Sequence, residues 1–114
     1  MLLLILSFSL VDEGHIKMKS IEEIKKLLSE HKKEFQEKYG LSVIGIFGSY
    51  VRGEQVAESD VDILVEFCKP IGFVRFIQLE NYFSALLGIK VDLVTKKALK
   101  PYIGEQILRE VQYV

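Results

Sequence analysis

Residues 48–66 read GSYVRGEQVAESDVDILVE: a glycine-serine pair, a polar interval, then two aspartates running straight into an apolar segment. The segment from Val61 to Phe67 is β-branched and aromatic, which predicts a strand. Alternation along a strand gives Val61, Ile63, Val65 and Phe67 one apolar face, and puts Asp60, Asp62, Leu64 and Glu66 on the other. Two carboxylates so placed repel each other unless a cation lies between them. Hard oxygen ligands, few of them from protein, are what Mg²⁺ takes.

Upstream, Leu41 to Phe47 reads as a buried strand, with Gly45 allowing close backbone approach. A Gly48-Ser49 turn leading into a short helix would aim N–H groups and a hydroxyl at an anion. The ten residues Tyr50 to Ser59 give room for that helix, a loop and the start of a neighbouring strand, so that cradle and carboxylates share one cleft. Downstream, Ile89 to Thr95 (IKVDLVT) predicts a third strand, on which Asp92 shares a face with Lys90 and Val94. An acid within an apolar strand is costly without a cation or donor. Set beside the Val61 strand, this one brings Asp92 to Asp60 and Asp62.

Gly-Ser, ten residues, then Asp-x-Asp resembles the signature of nucleotidyltransferases of the DNA polymerase β type. The fuller GSYVRGEQVAESDVDILVEF, with the tail VDLVTKKALKPYIGEQILREVQYV, resembles the minimal nucleotidyltransferase (MNT) family, small MntA-like antitoxins that pair with HEPN-domain toxins. The likeness runs from about Met18 to the C-terminus. Asp-x-Asp alone also occurs in glycosyltransferases and calcium loops; the combination is what is specific.

The resemblance implies a nucleotidyltransferase fold of the α/β (α+β) class, a small mixed sheet flanked by helices in the order αβαβαβα. It implies that Asp60 and Asp62 hold two Mg²⁺ ions, about 4 Å apart in such sites, with Asp92 joining the catalytic one. Gly48 and Ser49 would grip the terminal phosphates of ATP. Arg52 either neutralises triphosphate charge or forms an ion pair with a nearby carboxylate. The implied reaction is AMP transfer to a tyrosine of a HEPN toxin partner. Two alternatives stand beside it: a non-catalytic module that occludes its toxin, and a nucleotidyltransferase acting on a small molecule or RNA. With little chain left to build an acceptor domain, the acceptor is expected to be held by a partner, an open face or a homodimer.

The chain has 114 residues and is 49% hydrophobic, enough for one modest core. A net charge of −1 argues against an electrostatically driven nucleic-acid binder. The single cysteine, Cys68, excludes an internal disulfide, fits a reducing compartment such as the cytoplasm, and reads as a buried structural thiol. The apolar run MLLLILSFSLV is far short of the ~20 residues that span a bilayer and lacks the marks of a secretory leader. Residues 1–17 are therefore expected to be an extension ahead of a domain covering 18–114; the competing reading is an extra element covering an apolar patch.

Ser20-Ile21-Glu22-Glu23 reads as a capping box that opens a helix ending at Gly40, with Ile21, Ile24, Leu28, His31 and Phe35 along one stripe. His31 there reads as a packed, hydrogen-bonded residue. Phe73, Phe76, Ile77, Glu80, Phe83 and Leu87 predict a second helix ended by Gly88, its aromatics assigned to the core. Pro101 suits the first turn of a last helix carrying Tyr102, Ile103, Ile107 and Leu108. Ser59 is expected to brace the approach to the acids, Glu66 to be peripheral, and Lys96, Lys97 and Lys100 to be solvated.

Overall fold

The computed structural model describes residues 19–99 and 101–114, apart from the side chains of residues 101–103. The expectations for residues 1–17, Lys100, and the Tyr102 and Ile103 side chains lie outside it. In chain order the elements are α1 (Ile21–Glu30), α2 (Lys32–Tyr39), β1 (Leu41–Phe47), α3 (Ser49–Arg52), β2 (Val61–Phe67), α4 (Phe73–Leu87), β3 (Val91–Thr95), a 3₁₀ turn (Lys96–Ala98), α5 (Pro101–Glu110) and β4 (Gln112–Tyr113). The strands form one mixed sheet in the order β3-β2-β1-β4. β2 runs antiparallel to β1 and parallel to β3, and β4 pairs antiparallel with the outer edge of β1. No helix of the described residues is long and apolar enough to cross a membrane.

The β-branched character of VDILVEF gives β2 the predicted bounds and the predicted inner face: Val61, Ile63 and Val65 are fully buried. They meet Ile24 and Leu28 of α1, Phe35 of α2, Leu79, Phe83 and Leu87 of α4, and Val91 and Leu93 of β3 in a single cluster. Phe35 sits edge-on to both Phe83 and Tyr82, with ring centroids 4.6 and 5.6 Å away. Such aromatic pairs add to the burial energy through their quadrupoles.

Three details differ from the expected elements. The first helix is broken at His31, whose Nδ1–H donates to the Leu27 carbonyl at 3.0 Å while its backbone N–H turns back to Leu28 O at 3.2 Å. A side chain that takes a backbone acceptor competes with the helical ladder, and the chain restarts as α2. The capping box itself is as expected: Ser20 Oγ accepts from Glu23 N–H and Glu23 Oε1 accepts from Ser20 N–H. The third strand starts at Val91, two residues later than expected. At the C-terminus the chain adds β4, which fits because Gly45 presents no side chain: a Cβ there would stand 2.5 Å from Val111 Cγ2 and 3.2 Å from the Tyr113 ring.

Two burial expectations are corrected as well. Cys68 is exposed, because β2 ends at Phe67 and the chain bends away with only the Cys68 N–H tied back, to Gly40 O at 2.8 Å. Phe73, placed in the core stripe, is 77% exposed at the first turn of α4, beyond the reach of the sheet, and Leu79 fills the core instead.

Candidate functional site

The direction of the strands assembles the site. Because β1 is antiparallel to β2, its C-terminal end meets the start of β2; because β3 is parallel to β2, its start lies at the same end. In one row, Phe47 faces Asp62 and Asp62 faces Asp92 as directly paired residues. The outward face of β2, opposite the core face, therefore carries Asp62 beside Asp92 of the next strand. Asp60 precedes β2, with Oδ2 3.8 Å from Lys90 Nζ, an exposed and loose ion pair. Just above it, Ser59 braces the loop as expected, its Oγ accepting from Val56 N–H at 2.9 Å.

Gly48 closes the row. Its φ of 83° and ψ of −152° are open to glycine and nearly closed to other residues. A Cβ at this position would run into the Asp62 carboxylate. The turn thus has two independent reasons to lack a side chain, and it feeds directly into α3 as the Gly-Ser pattern predicts. Tyr50, the second residue of α3, is buried in the core cluster, and burial together with the Asp60 charge raises its phenol.

Asp62 is half-buried, and burial first, then the charges of Asp92 and Asp60, push its carboxyl up to about 6, against an ordinary 3.8. Arg52 pulls the other way and Glu110 adds to the rise. The carboxylate lies in a field short of positive charge.

Arg52, 48% exposed along its side chain, takes the ion-pair arrangement: Nε donates to Glu54 Oε1 at 2.9 Å, and Nη1 donates to Glu110 Oε1 and Oε2 at 3.0 and 3.1 Å. Both carboxylates hold its guanidinium in the charged form. Glu110 Oε2 also accepts from the Gly48 N–H at 2.7 Å. Glu110 is the site residue that sequence reasoning missed. It stands 62 residues from Gly48, and nothing in its spacing connects the two; only the docking of β4 on β1 brings it there. Glu80, on the predicted helical stripe, does more than pack: its Oε2 accepts from Leu93 N–H at 2.9 Å, tying α4 to β3 one residue beyond Asp92. Glu66 stays peripheral, and Lys96 and Lys97 are exposed.

Polymerase-type nucleotidyl transfer calls for divalent metal. Among the described residues no three His, Cys, Asp or Glu groups converge, as placed, into a finished metal-holding set. The donor chemistry nevertheless fits a hard divalent ion: adjacent aspartates on paired strands, the inner one destabilised as an anion, beside a turn with no room for a side chain.

A model of the nucleotidyltransferase domain family matches residues 28–114. The protein adenylyltransferase MntA of Thermococcus cleftensis is 54% identical over 97 residues, 85% of this chain and 98% of that protein. A solved structure provisionally identified as a minimal nucleotidyltransferase is similar with a TM-score of 0.65 at 31% identity, over 78% of this chain and 93% of that one. The crystal structure of a toxin–antitoxin with AMP-PNP gives a TM-score of 0.61 at 26% identity, over 81% of this chain and 69% of that one.

Proposed function

The chain belongs to the nucleotidyltransferase domain family, in its minimal, MntA-like branch, and from that premise we propose that it transfers AMP from ATP to a tyrosine hydroxyl of a HEPN-domain toxin and so acts as its antitoxin. The observation that carries the reading is the pairing of Asp62 with Asp92 across β2 and β3, next to a glycine turn that a single Cβ would block. The 54% identity to a protein adenylyltransferase supports protein as the acceptor class, and the toxin–antitoxin structure with AMP-PNP supports an adenine nucleotide and a toxin as partner.

In this reading Asp60, Asp62 and Asp92 would hold Mg²⁺. When bound, the metal supplies charge stabilisation to the attacking oxygen and the departing pyrophosphate. The chain's own residues do the rest. The Gly48 turn and Ser49 face the terminal phosphates, and Arg52 offers a permanent positive charge to the triphosphate. Asp92, exposed on β3, is open to an incoming hydroxyl and takes or orients its proton. The acceptor oxygen bonds to the α-phosphorus, the bond to the β-phosphate oxygen breaks, and the products are an AMP ester and pyrophosphate.

Incubation with labelled ATP, Mg²⁺ and the product of the adjacent reading frame is expected to label that product. The double variant Asp60→Asn/Asp62→Asn should lower labelling by on the order of 10²-fold or more. Label that persists in the variant would remove these carboxylates from the mechanism. A panel of ATP, GTP, CTP and UTP against the partner, RNA and small hydroxyl acceptors fixes base and acceptor.

A further inference from the structure

The last residue of α5 places a carboxylate where the proposed reaction needs a phosphate. Glu110 Oε2 accepts from the Gly48 N–H at 2.7 Å, and both its oxygens accept from Arg52 Nη1 at 3.0 and 3.1 Å. One backbone N–H on a glycine turn and one guanidinium are the donors a phosphate oxygen would be offered there. Glu110 is a flexible side chain at a helix end, partly exposed at 24%, so it can leave by rotation without unfolding anything. Its backbone cannot drift. The next residue, Val111, donates to Ile107 O at 2.9 Å and packs over Gly45, and Val114 N–H donates to Ile44 O at 3.0 Å. The β4–β1 pairing therefore holds this carboxylate at the mouth of the site.

We propose that Glu110 is an internal competitor of the nucleotide, occupying the Gly48 N–H and the Arg52 guanidinium in the empty protein and displaced from them when the triphosphate binds. The inference rests on the adenylyl-transfer reading above and assigns a further affinity-setting residue to that site. The displacement has two consequences. Nucleotide affinity is lower than the bare donors would give, because a charge-assisted contact must first be broken. Anything that shifts β4 against β1 changes that affinity, because it moves the competitor.

The test is a calorimetric titration of ATP with Mg²⁺, and separately of tripolyphosphate, into wild type and Glu110→Gln in the absence of acceptor. Loss of the competing charge is expected to tighten both ligands about tenfold, as one charge-assisted hydrogen bond is worth. Unchanged or weaker binding in E110Q overturns the proposal, since a carboxylate that merely steadied Arg52 would help binding. Wild type and variant together separate the two levels: if wild type binds ATP and E110Q gains nothing, this proposal alone fails; if neither binds, the transferase reading fails with it. The Gly48 amide proton gives a second readout in unmodified protein. Its NMR resonance should move as tripolyphosphate replaces Glu110, and a stationary resonance at saturation refutes the exchange.

Discussion

Replacing Asp62 by asparagine should make the metal-free protein more stable at neutral pH, although it removes a residue central to the proposed chemistry. Burial and the charges of Asp92 and Asp60 push the Asp62 carboxyl from 3.8 up to about 6. Because the folded value is the higher one, the folded state holds its proton longer. Below about pH 4 folded and unfolded chains are both protonated and no penalty exists; between about pH 4 and pH 6 the unfolded chain ionises first and stability falls; above pH 6 the loss is complete. Roughly two pKa units at 1.36 kcal/mol each give about 3 kcal/mol, and partial solvation of a half-buried carboxylate reduces this to ~1–2 kcal/mol.

The amide side chain would keep the shape of the carboxylate and drop its charge, so urea unfolding in EDTA at pH 7.5 should show D62N the more stable by ~1–2 kcal/mol, with the gap closing by pH 4. Millimolar Mg²⁺ should reverse the order by stabilising wild type alone, as a ligand that binds only the folded state must. A D62N variant that is less stable than wild type at pH 7.5 in EDTA, or one whose advantage does not change with pH, would show that the site is not under charge strain.

Gly48→Ala should cost at least ~2 kcal/mol and abolish transfer, since it combines a strained φ with overlap on Asp62; thermal unfolding and labelling check the two halves. Phe35→Ala, which empties a fully buried position beside Phe83 and Tyr82, should cost ~3–5 kcal/mol in urea. Glu80→Ala should cost ~1–3 kcal/mol by orphaning the Leu93 N–H, and that amide should lose protection in hydrogen exchange.

What the sequence made legible was whatever local chemistry determines. The β-branched run 61–67 and the Gly88 stop fix β2 and α4 to the residue, and the Ser20–Glu23 box fixes the start of α1. The pairing of Asp62 with Asp92 was expected only on condition that two strands lie side by side, a condition met by a parallel crossover through α4. The illegible features all depend on tertiary placement. Cys68 and Phe73 carry apolar character and fall where the sheet has already ended. Glu110 looks like one more charge near the end of a polar helix until β4 finds Gly45. A long-range contact between a carboxylate and a backbone N–H leaves no period in the sequence to detect.

These features lead to one view of how the domain is built. The core face of the sheet is wholly apolar, with no buried polar or charged residue among those described, and it carries the stability. The opposite face gathers like charges at the strand starts and is held there at a cost. Two local devices moderate that cost in the empty state: the exposed Lys90–Asp60 pair at 3.8 Å, and Arg52, which partly offsets the field on Asp62 while itself bound to Glu110. Neither device is buried or rigid, so a divalent ion can take the place of Lys90 beside Asp60, and a triphosphate that of Glu110 on Arg52, without disturbing the core. The separation is geometric: alternation along β2 turns Val61, Ile63 and Val65 to the core and Asp62, at the strand start, to the site, so shifting this strand by one residue would destroy fold and site together.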